Sequence, residues 1–239
     1  MEQSPVKSPV AKRAIEEMLP SGNRRKFLRS AGLATATGVA VLTVGCKKDD
    51  DPTPAAGSVD LGTGDVGILN YAYALEQLEA AFYSQVVSTP YAGISTDELA
   101  LLTDIRDHEI IHRDFFKAAL GAGAIQALEV DFSKIDFTSR ASVLGTAKTF
   151  EDTGVAAYNG AGKLIKDAGY LLLAGKIVSV EARHAAVIRD LLSPMTASFA
   201  GDDIINNNGL EAVRKPSEIL AAVQPFVKTQ LNASNLPTS

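Results

Sequence analysis

The chain has 239 residues, 46% hydrophobic and 21% charged, with no Trp and one Cys. Its net charge is −5, and from Cys46 onward 16 Lys and Arg stand against 25 Asp and Glu, or −9. That balance makes nucleic acid a poor partner, and a lone cysteine excludes an intrachain disulfide.

Residues 1–45 have the layout of an export signal. A polar, basic stretch ends in Asn23-Arg24-Arg25-Lys26-Phe27-Leu28-Arg29, and an uncharged run rich in Ala, Gly and Thr follows over residues 30–45. That run is short of the ~20 apolar residues that a permanent span requires. The Arg24-Arg25 pair resembles a twin-arginine signal, and Leu42-Thr43-Val44-Gly45-Cys46 resembles a lipobox. These resemblances imply lipidation at Cys46, membrane attachment through that anchor, and an exported protein of the periplasm or cell envelope. Residues 46–62, beginning Lys47-Lys48-Asp49-Asp50-Asp51-Pro52, have the composition of a disordered tether.

Four helices are expected next. The first covers about 65–87, with Leu69, Ala72, Leu75, Leu78, Phe82 and Val86 at helical steps. The second follows Ser95, where Ser95 and Glu98 fit a capping box, and ends at Gly121. The third runs from Ser139 to about Lys166, and the fourth from about Gly169 to Leu192, before Pro194. The joint between the second and third is the longest, 121–138. Two antiparallel hairpins joined by a crossover make an all-α four-helix bundle over 63–193. A C-terminal tail, 194–239, carries a short helix begun by Pro216 and is expected to pack on the bundle.

Two of the three histidines lie three residues after a Glu: Glu109-Ile110-Ile111-His112 and Glu181-Ala182-Arg183-His184. Side chains three apart on a helix can reach one ion, and chance supplies two such pairs on the order of once in a hundred sequences. Glu76 on the first helix and Glu151 on the third complete the set. Each precedes a Tyr by two turns, Tyr83 and Tyr158, and each precedes its half's Glu-x-x-His by a similar span, 76 to 109 and 151 to 181. Glu79, three residues after Glu76, could replace or supplement it. One Glu from each of two helices and one Glu-x-x-His from each of the others is the di-iron carboxylate pattern. Buried without metal, these carboxylates would carry a severe desolvation penalty.

With these residues the chain resembles the ferritin-like superfamily, and Leu75-Glu76-Gln77-Leu78-Glu79-Ala80-Ala81-Phe82-Tyr83 is similar to the first-helix motif of its exported members. The resemblance implies that Glu76 and Glu151 are terminal ligands, and that Glu109 and Glu181 bridge two metals. His112 and His184 would bind one metal each, and Tyr83 and Tyr158 would hydrogen-bond to ligands. The cofactor expected is two iron ions, with manganese as the alternative, and the partners are oxygen or peroxide in ferroxidase or peroxidase chemistry. Rival readings are a stress-protective envelope protein with a vestigial site, a manganese catalase, and a zinc peptidase through His108-Glu109-x-x-His112. A lipid anchor on each subunit fits poorly with a closed storage cage, while a smaller homo-oligomer stays open.

Overall fold

The structure, a computed structural model, describes residues 58–238. The twin-arginine and lipobox segments and Cys46 lie outside the described residues. Four long helices dominate: α1 (Gly64–Ser88), α2 (Thr96–Leu120), α3 (Arg140–Gly162) and α4 (Ala168–Leu192). A short α5 (Pro216–Val223) follows in the tail. Helix α1 packs along α2 and α3 along α4, and the two hairpins meet through α1 and α3. This is the expected all-α bundle with its crossover.

Local chemistry sets the helix ends. Ser95 Oγ accepts the amide of Glu98 at 3.1 Å, but only half of the expected capping box forms. The Glu98 carboxylate instead accepts from the Tyr91 hydroxyl and from Arg140 Nε at 2.9 Å, because a cation and a phenol outcompete one backbone amide. Helix α2 closes at Gly121, whose φ of 55° falls in the region that glycine adopts without strain. Asp167 caps α4 by accepting from the amides of Gly169 at 2.7 Å and Tyr170 at 3.1 Å. Helix α3 ends at Gly162, short of the expected Lys166. There the Asp65 carboxylate of α1 accepts the amides of Lys166 and Asp167 at 2.8 Å each, which fixes the turn into α4.

Helix α1 is buried on nearly every side, from Gly67 to Val86, so its polar side chains must find partners. Asn70 donates to the carbonyls of Leu61 at 3.1 Å and Gly123 at 2.9 Å, and accepts from the Ile125 amide at 3.0 Å. Gln77 accepts from the Leu128 amide at 2.9 Å. These two amides pin the crossover to α1. Farther along, Phe82 meets Tyr83 and Phe150 with ring centroids 5.1 Å apart, edge to face.

The tail packs on the bundle. The Arg214 amide donates to the Ala156 carbonyl at 3.2 Å. Ile219 of α5 is fully buried. Arg189 of α4, only 1% exposed, reaches Asp152 at 2.7 and 2.8 Å and Asp203 at 2.8 and 3.0 Å. One correction concerns the tether. Its last residues are ordered: β1 (Val59–Asp60) pairs in parallel with β2 (Leu231–Asn232), and Leu61 is fully buried. Two-residue strands leave no periodicity in a sequence.

Candidate metal centre

The four long helices each send carboxylates or imidazoles to one buried point. Glu76, Glu109, Glu151 and Glu181 have no solvent exposure, and His112 and His184 are 9% and 4% exposed. Two overlapping sets of potential metal donors form: Glu76, Glu109, His112 and Glu181, and Glu109, Glu151, Glu181 and His184, each set with donor atoms within 4.8 Å of one another. All six residues expected from the sequence are therefore brought together, and Glu109 and Glu181 belong to both sets.

The contacts cross between the hairpins. His112 Nδ1 lies 2.7 Å from Glu181 Oε1 and 3.5 Å from Glu76 Oε2. His184 Nδ1 lies 2.7 Å from Glu109 Oε1 and 3.6 Å from Glu151 Oε2. The tyrosines cross as well: Tyr83 donates to Glu151 Oε1 at 2.5 Å, and Tyr158 donates to Glu76 Oε1. Each phenol thus occupies one oxygen of a carboxylate and leaves the other free.

That leaves a specific set of atoms without hydrogen-bond geometry. Among the described residues ten buried side-chain atoms lack a partner, and eight are in this cluster: Glu76 Oε2, both oxygens of Glu109, His112 Nδ1, Glu151 Oε2, both oxygens of Glu181, and His184 Nδ1. Buried polar atoms are almost always satisfied, and an orphan costs about 1–3 kcal/mol. Eight converging atoms, six carboxylate oxygens and two imidazole nitrogens whose close contacts are with one another, fit a pair of cations once the imidazoles give up their protons.

The electrostatics point the same way. Burial, reinforced by the Glu181 charge, raises Glu109 well above the usual carboxylate range. Burial pushes Glu151 up to about 7 against the opposing pull of His184. Burial would also raise Glu181, but the contacts with His112 and His184 overcome it and hold Glu181 at about 2. Facing acids split in this way because they ionise in sequence. Burial disfavours both imidazolium forms, yet the surrounding carboxylates raise His112 and His184, the latter to about 12. The phenols of Tyr83 and Tyr158 are pushed well up by burial and by their Glu partners, so they remain donors.

Glu79 is buried but belongs to neither donor set. Its Oε1 lies 3.0 Å from where a Cβ on Gly154 would stand, so the glycine makes room for the carboxylate. His108 also lies outside both sets. It is exposed, and its Nδ1 sits 2.9 Å from His184 Nε2. The two ring planes are within 10° and their centroids 5.1 Å apart, too wide for face-to-face stacking, so nitrogen edges meet. His108 therefore supports the outer nitrogen of His184 and does not converge with His112 as a peptidase pair would. The sequence offered His108 only as a ligand of the rival zinc-peptidase motif; its contact with His184 lies 76 positions away and leaves no local signal.

A family model described as a ferritin-like domain matches residues 64–194, more than half of the chain. No curated protein matches the sequence.

Proposed function

Because the chain belongs to the ferritin-like domain family over residues 64–194, we propose that its carboxylate and imidazole cluster holds two metal ions, iron in the first place, for redox chemistry with dioxygen or peroxide. The observation that carries this reading is the convergence of eight unpartnered donor atoms in the bundle core. Glu76 Oε2 and Glu151 Oε2 would be terminal donors, and Glu109 and Glu181, present in both donor sets, would bridge. His112 Nδ1 and His184 Nδ1 would each serve one ion.

A bound ferrous pair would supply one electron from each ion to an oxidant. The chain's own residues do the rest. Tyr83 and Tyr158 hold Glu151 and Glu76 by one oxygen each, which fixes the direction of the free oxygen. With Nδ1 given to a metal, His184 would carry its proton on Nε2 and so donate the hydrogen bond to His108 Nδ1. The four fully buried carboxylates offset the charge of two divalent ions. The Arg24-Arg25 pair and the Cys46 segment support export and lipid attachment of this centre at the cell envelope.

The test is elemental analysis of the chain after anaerobic Fe(II) or Mn(II) loading, beside a Glu109→Ala/Glu181→Ala variant. Two ions per chain in the parent, lost in the variant, is the expected result. A parent chain that takes up no ion rejects the proposal, and one zinc retained in the variant would favour a peptidase instead.

A further inference from the structure

Beside the metal centre lies a cleft to which all four long helices contribute. Leu69 and Ala72 of α1, Phe116 of α2, Ala157 and Tyr158 of α3 and Ala174 of α4 form its wall. The wall is almost wholly apolar, and the cavity is small, about 20 Å³. Two small, half-buried side chains line it from different helices, Ala119 of α2 and Ala174 of α4. Its inner wall is shared with the metal centre, since the Tyr158 ring lines the cleft while its hydroxyl is bonded to Glu76.

Size and polarity select the occupant. A cavity needs ~10–15 Å³ to hold a water-sized molecule, so this one has room for a diatomic. A water inside would need 2–4 polar partners. The Tyr158 hydroxyl is engaged with Glu76, and the unpartnered hydroxyl of Tyr71, which also lines the cleft, could offer a water a single bond, short of that number. Hydrogen peroxide and hydrated ions would forfeit most of their hydrogen bonds there. Dioxygen has none to forfeit.

We infer that this cleft is a dioxygen pocket serving the metal centre, and that ions and peroxide reach the centre by another path. The inference rests on the dinuclear reading above. Were ferrous ions held there, dioxygen would take one electron from each and two protons from solvent, and would leave as hydrogen peroxide. The iron is oxidised, oxygen is reduced, and no bond to carbon forms or breaks.

Xenon, an apolar probe that enters dry cavities, tests the pocket without any reaction. Crystals of the full chain under xenon pressure should show the gas in the cleft, and Ala174→Phe should abolish it. In the iron-loaded chain, Ala174→Phe should slow oxidation by dioxygen about tenfold or more, with oxidation by peroxide and the iron content unchanged. Ala119→Phe, which fills the cleft from α2, should do the same and decides the matter if Ala174→Phe fails to fold. Ordered water or no xenon in the parent cleft overturns the inference, and so does equal slowing, or no slowing, with both oxidants. A parent chain that binds no iron overturns the dinuclear reading itself, and this inference with it, whatever xenon does.

Discussion

The Tyr83 hydroxyl donates to Oε1 of Glu151, 68 residues away, at 2.5 Å. It bypasses Glu76, the carboxylate two turns earlier on its own helix. The same exchange occurs in reverse, where Tyr158 serves Glu76. Each half of the bundle therefore orients a donor of the other half.

Tyr83→Phe should leave the fold intact and strand a buried carboxylate oxygen. The expected loss is about 1–3 kcal/mol of stability in the metal-free chain, read by urea unfolding, together with weaker uptake of one of two ions. Tyr158→Phe, acting on Glu76, should cost a similar amount. Unchanged stability and unchanged metal affinity in both variants would mean that the crossed phenols hold nothing.

The metal-free chain should lose stability as pH rises from 5 to 8. Glu151 is raised from 4.5 to about 7, so in that interval the folded chain keeps a proton that the unfolded chain has released. His184 works in the same direction. Raised from 6.5 to about 12, its contribution is complete below its unfolded value and fades as pH climbs toward the folded one. Glu181, held near 2, stabilises above its unfolded value and stays constant over this range. Thermal unfolding should therefore show a falling midpoint for the metal-free protein, a shallower fall in Glu151→Gln, and no such fall once metal occupies the donors. A midpoint that rises over the same interval contradicts the assignment.

Gly160→Ala should free the tail without harming the centre. A Cβ at Gly160 would stand 1.8 Å from the Arg214 carbonyl oxygen, so the segment bonded to Ala156 must lift. The expected cost is about 1–3 kcal/mol, with faster proteolysis around residues 205–215 and metal content unaltered. Gly145→Ala is the matched control: nothing lies within 4 Å of its added Cβ, and replacing a helical glycine should stabilise by roughly 0.5–1 kcal/mol. Equal effects of the two substitutions would remove the steric argument.

Cys46→Ser should move the protein from the membrane fraction to the soluble fraction of cells that make it, and should abolish labelling by a fatty-acid analogue. A parent protein that is already soluble and unlabelled would count against the lipid anchor.

The bundle and its cluster of six Glu and His residues were legible because both obey short-range rules. A Glu-x-x-His pair is a local feature of one helix, and repeating it in two halves fixes which faces must turn inward. What the sequence hid depends on long-range geometry. Nothing about Tyr83 says that its hydroxyl crosses to Glu151, and nothing about His108 points to His184. The early end of α3 at Gly162 depends on Asp65, about a hundred positions upstream, which takes the amides that a longer helix would have used. The Ser95–Glu98 pair matched a capping box, but Arg140 and Tyr91 claimed the carboxylate. Glu79 was ambiguous in sequence since its spacing from Glu76 suits a shared ion; the room left by Gly154 draws it outside the donor sets.

The parallel pairing of Val59–Asp60 with Leu231–Asn232 also has a mechanical meaning. Tension arriving through the chain before Val59 is met first by a two-residue clasp, with the amides of Val59 and Leu61 held at 2.8 and 3.1 Å by Gln230 and Asn232. Because the load passes to the far end of the chain before it reaches α1, the clasp can yield like a fuse while the helices that aim the donors stay in register.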